Sequence, residues 1–459
     1  MYQIDYDHPI HVYFMGIGGI SMSGLAEILL SRGFKISGSD MKESDLTHIL
    51  ESKGIKVYYG QKAENLTPDI DLVVYTAAIR PDNPEYVRML EMGLNHMTRA
   101  ELLGQMMKFY DLPIAISGTH GKTTTTSMIS EMLLASDADP TLSIGGMLKS
   151  IGSNYRVGSD RYFVLEACEY TNSFLHFFPK ISLILNVEED HLDFFKDIHD
   201  IRNSFHRFAQ ILPADGALII NGQIPDYKEL TADLPCKVLT YGPDQAFDYY
   251  PEAITYDDFA HPSFTACGPD GYRLKVTLAV PGEHNVYNAL AAIACGRLLQ
   301  LSDDAMLSAF ASFGGTERRF ETKGEFNGVT VIDDYAHHPT EIRATLTAAQ
   351  NCPHNKLWCV FQPHTYSRTK SFMKDFASAL SLADHVVLAD IYAARETDDL
   401  GISSKTLQQE IRALGKTCDY FPDFASIENF LEKNCTKNDL LITMGAGDVH
   451  KIGENLLSR

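Results

Sequence analysis

The segment Ile116-Ser117-Gly118-Thr119-His120-Gly121-Lys122-Thr123-Thr124 holds the residue types that cradle a triphosphate. Glycines let a backbone wrap closely round an anion with several N–H groups pointing inward. A helix beginning directly after the loop adds its partial positive charge. Lys122 can neutralise terminal phosphate oxygens, and the Thr123 hydroxyl can ligate magnesium. Ile116 stands where the first glycine of the longer GxxxxGK[ST] pattern belongs, so this is the shorter GxxGKT form. A plain glycine turn between a strand and a helix is the alternative.

A second glycine turn, Gly16-Ile17-Gly18-Gly19, has Asp40 further along and resembles a dinucleotide fingerprint. Ser21 takes the place of the third glycine. The pattern predicts a pyrophosphate cradle at a helix start, with Ser39 or Asp40 near a sugar. Its alternative is again a tight turn. Two phosphate cradles in one chain point to two phosphorylated ligands, such as ATP and a nucleotide-activated substrate.

Acidic and imidazole side chains follow two apolar runs, as Glu166 and Glu169 in one place and Glu188-Glu189-Asp190-His191 in another. Loops after parallel strands face the ligand crevice. Such ligands can hold magnesium between a triphosphate and an acceptor. A solvated strand end and a structural histidine are the bland counterparts. Asn285 and Asn288 share one helix face and can read an adenine edge or cap the helix. Arg318-Arg319-Phe320-Glu321 precedes Asp333-Asp334-Tyr335-Ala336-His337-His338-Pro339, whose proline suits a helix start. His364 and Arg368, and later Arg395, each come after an apolar run. An arginine there can clamp a carboxylate through two parallel hydrogen bonds, or form a surface salt bridge.

The elements that must position these groups alternate. His11 to Met15, Gly16 to Gly19, Ser21 to Leu30 and Phe34 to Ser37 read as strand, turn, helix, strand. Ile114 to Ile116 is a strand running into the phosphate loop, and a helix follows from about Thr123 to Leu134. Strands recur at Tyr162–Leu165, Ile181–Leu185 and Ala217–Ile220. A β-rich stretch from Val238 to Val280 precedes a helix over Asn285 to Leu299. A third α/β pattern has strands at Val329–Ile332, Leu357–Phe361, His385–Leu388 and Leu440–Thr443. The expected fold class is therefore α/β with three domains. These are an N-terminal Rossmann-like parallel sheet (1–112), a central P-loop ATPase-like mixed sheet with a β-rich part (113–315), and a C-terminal Rossmann-like domain (316–459).

Composition narrows the partners. In 459 residues, 45% are hydrophobic and 22% charged, enough for large cores. A net charge of -21 repels polyanions, so neither nucleic acid nor a membrane surface is an expected partner. The 8 cysteines are scattered without a CxxC spacing, and no long apolar span or signal segment appears. Reduced thiols in a cytoplasmic protein are expected, with a monomer or weak homodimer as the state.

Taken in order, the GIGGISMSGLAEILL opening, SGSD, Arg99-Ala100-Glu101, GTHGKTTTT, the HNxxNALAA helix, RRF and DDYAHHPTE resemble the Mur ligases of bacterial cell-wall synthesis. The resemblance spans nearly the whole chain. It implies that the first domain binds UDP-N-acetylmuramate through Gly16, Gly18, Gly19, Ser21, Ser39 and Asp40, with Arg99 nearby. It implies ATP as co-substrate on Gly118, Thr119, His120, Gly121, Lys122, Thr123 and Thr124. Magnesium, as two ions, would lie on Thr123, Glu166 and His191. Asn285, Asn288, Arg319 and Asp333 would be adenine, phosphate or ribose contacts. Tyr335, His337, His364 and Arg368 would form the amino-acid end, for L-alanine.

Two departures from the family pattern matter. Thr365 stands where many members carry arginine, which shifts the carboxylate clamp to Arg368 helped by Arg395. His206 stands near the place of a carbamylated lysine in relatives that add later residues, which favours the alanine-adding branch. The implied chemistry makes an acyl phosphate from a substrate carboxylate and the γ-phosphate of ATP. An amine then attacks it, with Lys122 among the catalytic groups and His337 or His338 taking the proton. The competing readings are a nicotinamide-dependent oxidoreductase, a nucleotide switch that only binds ATP, and a murein peptide ligase acting on the same sugar nucleotide.

Overall fold

The computed structural model describes residues 2–459 apart from 77, 395, 398 and 399. Four sheets organise it. The first contains β1 (His11–Met15), β2 (Lys35–Asp40), β3 (Lys56–Tyr59), β4 (Leu72–Tyr75) and β5 (Asn95–Thr98). All pairings are parallel, in the order β3-β2-β1-β4-β5. From β1 the chain moves first to one side and later to the other. The crevice beyond β1 is thus a topological switch point, where ligands of open α/β sheets bind. The glycine turn lies there, between β1 and the helix Ile20–Ser31.

The second sheet is built of β6 (Leu112–Ser117), β7 (Thr141–Leu148), β8 (Ser153–Arg156), β9 (Tyr162–Ala167), β10 (Ile181–Ile184), β11 (Ala217–Asn221) and β12 (Lys237–Tyr241). Its order is β12-β11-β10-β6-β9-β7-β8, parallel except for the edge strand β8. β6 lies at its centre. Ile114 and Ile116 are fully buried there, so the phosphate loop leaves from a rigid base. An antiparallel sheet of β13 (Tyr250–Tyr256), β14 (Pro262–Cys267) and β15 (Arg273–Thr277) forms the β-rich part. The last sheet comprises β16 (Glu321–Phe326), β17 (Val329–Asp334), β18 (Leu357–Phe361), β19 (His385–Leu388), β20 (Thr417–Tyr420) and β21 (Leu440–Met444). Its order is β16-β17-β21-β18-β19-β20, with β16 antiparallel.

This is the three-part α/β architecture expected from the sequence. Two strands differ in a way that bears on function. β9 continues to Ala167 and β17 to Asp334, so Glu166 and Asp333 sit inside strands rather than after them. Their carboxylates end apolar runs, yet their backbones still complete the ladder. The polar edge strand β16 and the short hairpin β7–β8, broken by Gly145-Gly146, have no clear apolar alternation and were not foreseen. Among the described residues, no helix is long and apolar enough to cross a membrane.

Candidate active site

The phosphate loop is held by backbone geometry that only glycine tolerates. Gly118 has φ 145° and Gly121 has φ 80°, and Gly121 is the N-cap of the helix Lys122–Ala135. A Cβ on Gly121 would lie 2.8 Å from Asn288 Oδ1. Asn186 braces the loop from β10. Its Oδ1 accepts from His120 N–H at 2.7 Å, its Nδ2 donates to the His120 carbonyl at 3.1 Å, and its own carbonyl accepts from Thr119 N–H at 3.3 Å. Lys122 Nζ folds back onto the carbonyls of Gly118 and Thr119 and reaches Glu169 at 3.3 Å. Burial works against its charge, but Glu169 and its neighbours outweigh burial and keep it protonated. Thr124 lines the adjoining cavity.

Glu166 stands on β9 in register with Ile116 of β6, one strand from the loop. Its Oε1 accepts from Gly145 N–H at 2.6 Å. A Cβ on Gly145 would lie 2.6 and 2.7 Å from the two carboxylate oxygens, and one on Gly146 would lie 3.3 Å from Thr123 Cγ2. This glycine pair lets β7 close over Thr123 and Glu166 together. It was missed in the sequence, where a GG inside a strand reads only as a weak point. His191 adopts φ 52°, stacks on Tyr170 at 4.4 Å and has Nε2 3.8 Å from Asp190 Oδ2.

A cavity of about 270 Å³ adjoins the loop, lined in part by Asn285, Asn288, Arg319, His284, Tyr241 and Asp334. The helix Glu283–Leu298 is N-capped by Gly282, so Asn285 is not its cap. Instead Asn285 Nδ2 donates to the Pro281 carbonyl at 2.7 Å, and Asn288 Nδ2 donates to Asn285 Oδ1 at 3.0 Å. The two amides hold each other facing the cavity. Asp333 corrects an expectation. Neighbouring residues of a strand point to opposite faces. Asp333 points inward, buried, where it accepts from Arg318 Nε at 2.9 Å and Thr443 Oγ1 at 2.7 Å. Asp334 is the one that reaches the cavity wall, accepting from the N–H groups of Phe320 and Ala336. Burial pushes its carboxyl up to about 6 despite Arg319.

The last sheet carries the histidines against the loop. His338 N-caps the helix Pro339–Gln350. Its Nδ1 accepts from Thr340 N–H at 3.3 Å, and its Nε2 faces the Glu189 carbonyl at 3.0 Å. Both nitrogens are therefore engaged. His337 differs. Its Nδ1 lies 3.0 Å from the Tyr335 carbonyl, which can only accept, so Nδ1 carries the proton and Nε2 keeps a lone pair. Burial depresses His337 to about 4, against the pull of Glu341. Tyr335 packs its ring under Arg318 and Arg319, at 5.0 and 5.2 Å.

A second cavity, about 370 Å³, is lined by Asp190, His191, His364, Thr365 and Arg368 among others. Arg368 already has a partner there: Nε and Nη2 donate to Asp190 Oδ1 at 3.2 and 2.7 Å, and Nη1 lies 3.2 Å from His364 Nδ1. Burial works against the Asp190 charge, but Arg368 holds its carboxyl well below the usual carboxylate range. Thr365 has φ 63°, a costly conformation for a β-branched residue. Arg395 lies outside the described residues. His206 points away, to the Leu230 carbonyl and Gln210.

At the Gly16–Gly19 turn, Gly16 and Ile17 N–H groups donate to the Ser39 carbonyl at 2.8 and 2.9 Å, and Gly18 N–H donates to Asp40 Oδ2 at 2.9 Å. Gly19 N-caps the helix Ile20–Ser31. Ser39 departs from its expected place near a sugar. Its side chain is fully buried and its hydroxyl donates to Glu85 at 2.6 Å. Only its carbonyl shapes the turn. Arg99 Nη1 donates to Ser21 Oγ at 2.9 Å and has no carboxylate partner among the described residues. Burial lowers its pKa.

Comparison with known proteins agrees along the whole chain. The family models match as "Mur ligase family, catalytic domain" over residues 11–111, "Mur ligase middle domain" over 116–296 and "Mur ligase, glutamate ligase domain" over 318–447. The UDP-N-acetylmuramate–L-alanine ligase of Agathobacter rectalis is 61% identical over 459 residues, covering 100% of both chains. That of Lachnospira eligens is 59% identical over 458 residues, again covering 100% of both. Among solved structures, a UDP-N-acetylmuramate-alanine ligase from Thermotoga maritima superposes with a TM-score of 0.82 at 30% identity, covering 98% of this chain and 99% of that one.

Proposed function

The chain belongs to the Mur ligase family, and on that premise we propose that it joins L-alanine to the carboxylate of UDP-N-acetylmuramate at the expense of ATP, giving ADP and phosphate. Residues 1–112 hold the sugar nucleotide, 113–315 hold ATP, and 316–459 bring the amino acid. The observation that carries this is the docking of the His337–Arg368 region against the phosphate loop, with His120 Nδ1 3.2 Å from Glu341 Oε1. An ATP site that only bound nucleotide would not need an amine-facing wall there.

A carboxylate does not react with an amine at neutral pH, because oxide is a poor leaving group. Attack of the muramyl carboxylate on the γ-phosphate forms an acyl phosphate and releases ADP. Lys122 leaves the loop carbonyls for the phosphate oxygens as charge spreads over them. The neutral amine of alanine then adds to the acyl carbon, and phosphate leaves. His337 Nε2 takes the amine's proton, since its partner fixes the tautomer and burial keeps it neutral. His338 supplies structure instead, because both its nitrogens are engaged.

Thr123 and Glu166 fit a hard cation. Both offer oxygen, they share one wall, and among the described residues Glu166 hydrogen-bonds through Oε1 alone. They would hold magnesium, with His191 as a ligand of a further ion, and magnesium would neutralise charge between the β- and γ-phosphates. Arg368 and the amino-acid carboxylate meet in the second cavity, where the alanine carboxylate competes with Asp190 for the guanidinium. The Gly16–Gly19 turn, Ser21, Asp40 and Arg99 receive the sugar nucleotide's diphosphate.

The test is ADP release by the full chain with UDP-N-acetylmuramate and a panel of acceptors. Release requiring both the sugar nucleotide and alanine supports the reading. Preference for a tripeptide acceptor, or release without the sugar nucleotide, sinks it. Selectivity over glycine and serine rests on roughly 1–3 kcal/mol per methyl or hydroxyl.

A further inference from the structure

The side chain of His120 does something the phosphate-loop pattern does not require. Its backbone is clamped on both sides by Asn186. Its ring leaves the loop and enters the seam with the last sheet's first helix. Nδ1 lies 3.2 Å from Glu341 Oε1, Nε2 lies 3.6 Å from Glu188 Oε2, and the ring packs 4.6 Å from His338. Glu341 is the third residue of the helix Pro339–Gln350. Its Oε2 accepts from the N–H groups of His337 at 3.0 Å and His338 at 3.2 Å. The same carboxylate thus faces the loop with one oxygen and sets the histidine pair with the other. Thr340 Oγ1 closes the seam by donating to Glu188 at 2.6 Å. Burial opposes a charge on His120, but Glu341 and Glu188 outweigh it and raise its pKa to about 9.

We propose that His120 is a positioning residue that couples the phosphate loop to docking of the third unit, by drawing Glu341, and with it His337, against the loop. The inference rests on the ligase reading above. Phosphates wrapped by the loop add to the Asn186 clamp on the His120 backbone and hold its ring towards Glu341. Docking then assembles the proton acceptor and excludes water only when triphosphate is in place. That order matters because water destroys an acyl phosphate.

A transition-metal site is the competing use of the same cluster. His120, Glu188 and His338 bring one ligand atom each to within 4.8 Å of one another. His338 argues against it, since neither of its nitrogens is free.

The experiment uses the full chain and two single variants, His120→Asn and Glu341→Gln, with their double. Glu341→Gln keeps an oxygen to cap the helix and removes the charge that faces His120, together with its pull on His337 and Arg319. Four readouts are taken: affinity for a non-hydrolysable ATP analogue, kcat, ADP released per amide formed, and the analogue-induced change in fluorescence transfer between labels on the second and third units. The proposal predicts that kcat falls about 10- to 100-fold, the size of a lost buried charge-assisted contact, and by more than analogue Kd rises, although both residues line the nucleotide cavity. It also predicts more than one ADP per amide, a lost closure signal, and a double variant within about twofold of the worse single. Additive losses, or one ADP per amide with normal closure in both singles, overturn it. So does stoichiometric cobalt(II) binding that disappears in His120→Asn. A wild-type chain that releases no ADP with sugar nucleotide and alanine sinks the ligase reading instead, while the closure signal still answers for His120.

Discussion

The molecule has two glycine turns, each at the carboxyl end of a central parallel strand and each opening a helix, and they are furnished differently. At Gly118–Thr123 a lysine is folded into the loop and two carboxylates, Glu166 and Glu169, stand beside it. At Gly16–Gly19, among the described residues, no lysine enters. A backbone N–H is occupied by Asp40, and the nearby cation is the half-buried Arg99, whose side chain bonds a serine. Glycine spacing reports a backbone that can approach an anion. The side chains around it report what happens to that anion. On the proposed reading, the Gly118–Thr123 turn stabilises a phosphoryl group in flight and the Gly16–Gly19 turn holds a diphosphate still.

The sharpest way to break the comparison is Lys122→Ala. Removal of a group that acts on transition-state charge should lower kcat by about 100- to 1000-fold in the ADP assay, and a variant with near-normal kcat would make the two turns equivalent. Arg99→Ala should act in the other parameter, raising the KM for UDP-N-acetylmuramate by about 10- to 100-fold with kcat within about threefold. A fall in kcat at unchanged KM would place Arg99 in the chemistry. Arg368→Ala should raise the alanine KM by about tenfold or more. Because the variant also frees Asp190, a stability loss measured by thermal melting should accompany it.

Acid acts more gently. His284 lines the cavity beside the Gly118–Thr123 turn, His337 lies beside Glu341 and His364 lines the second cavity, and burial depresses each to about 4, below the ordinary 6.5. The unfolded chain binds these protons first. Stability present above about pH 6.5 is therefore lost as pH falls towards 4, by roughly 1–3 kcal/mol for each histidine. Thermal melting from pH 7 down to 4 should record this loss as a falling midpoint, and a midpoint unchanged over that range would contradict it.

What was legible in the sequence was whatever local pattern dictates. The strand–turn–helix units, the GxxGKT loop and the Asn285–Asn288 helix face all follow from spacing along one element. Illegible were choices that depend on which face of a sheet meets the ligand. Asp333 and Asp334 are adjacent and chemically identical, yet one is locked under Arg318 and Thr443 while the other lines the cavity. Ser39 ends a strand beside Asp40 and points the wrong way, into Glu85. Gly145 and Gly146 matter only because a strand distant in sequence carries Glu166 underneath them. The bond between Arg368 and Asp190 likewise joins residues 178 apart.

The central claim is that the Gly118–Thr123 cradle transfers phosphate to a substrate carboxylate before any amide forms. It is tested most directly by placing oxygen-18 in the muramyl carboxylate and running the reaction with ATP and L-alanine. The account predicts one labelled oxygen in the inorganic phosphate for each amide formed. Unlabelled phosphate, with the label retained in the product or released to water, would contradict it.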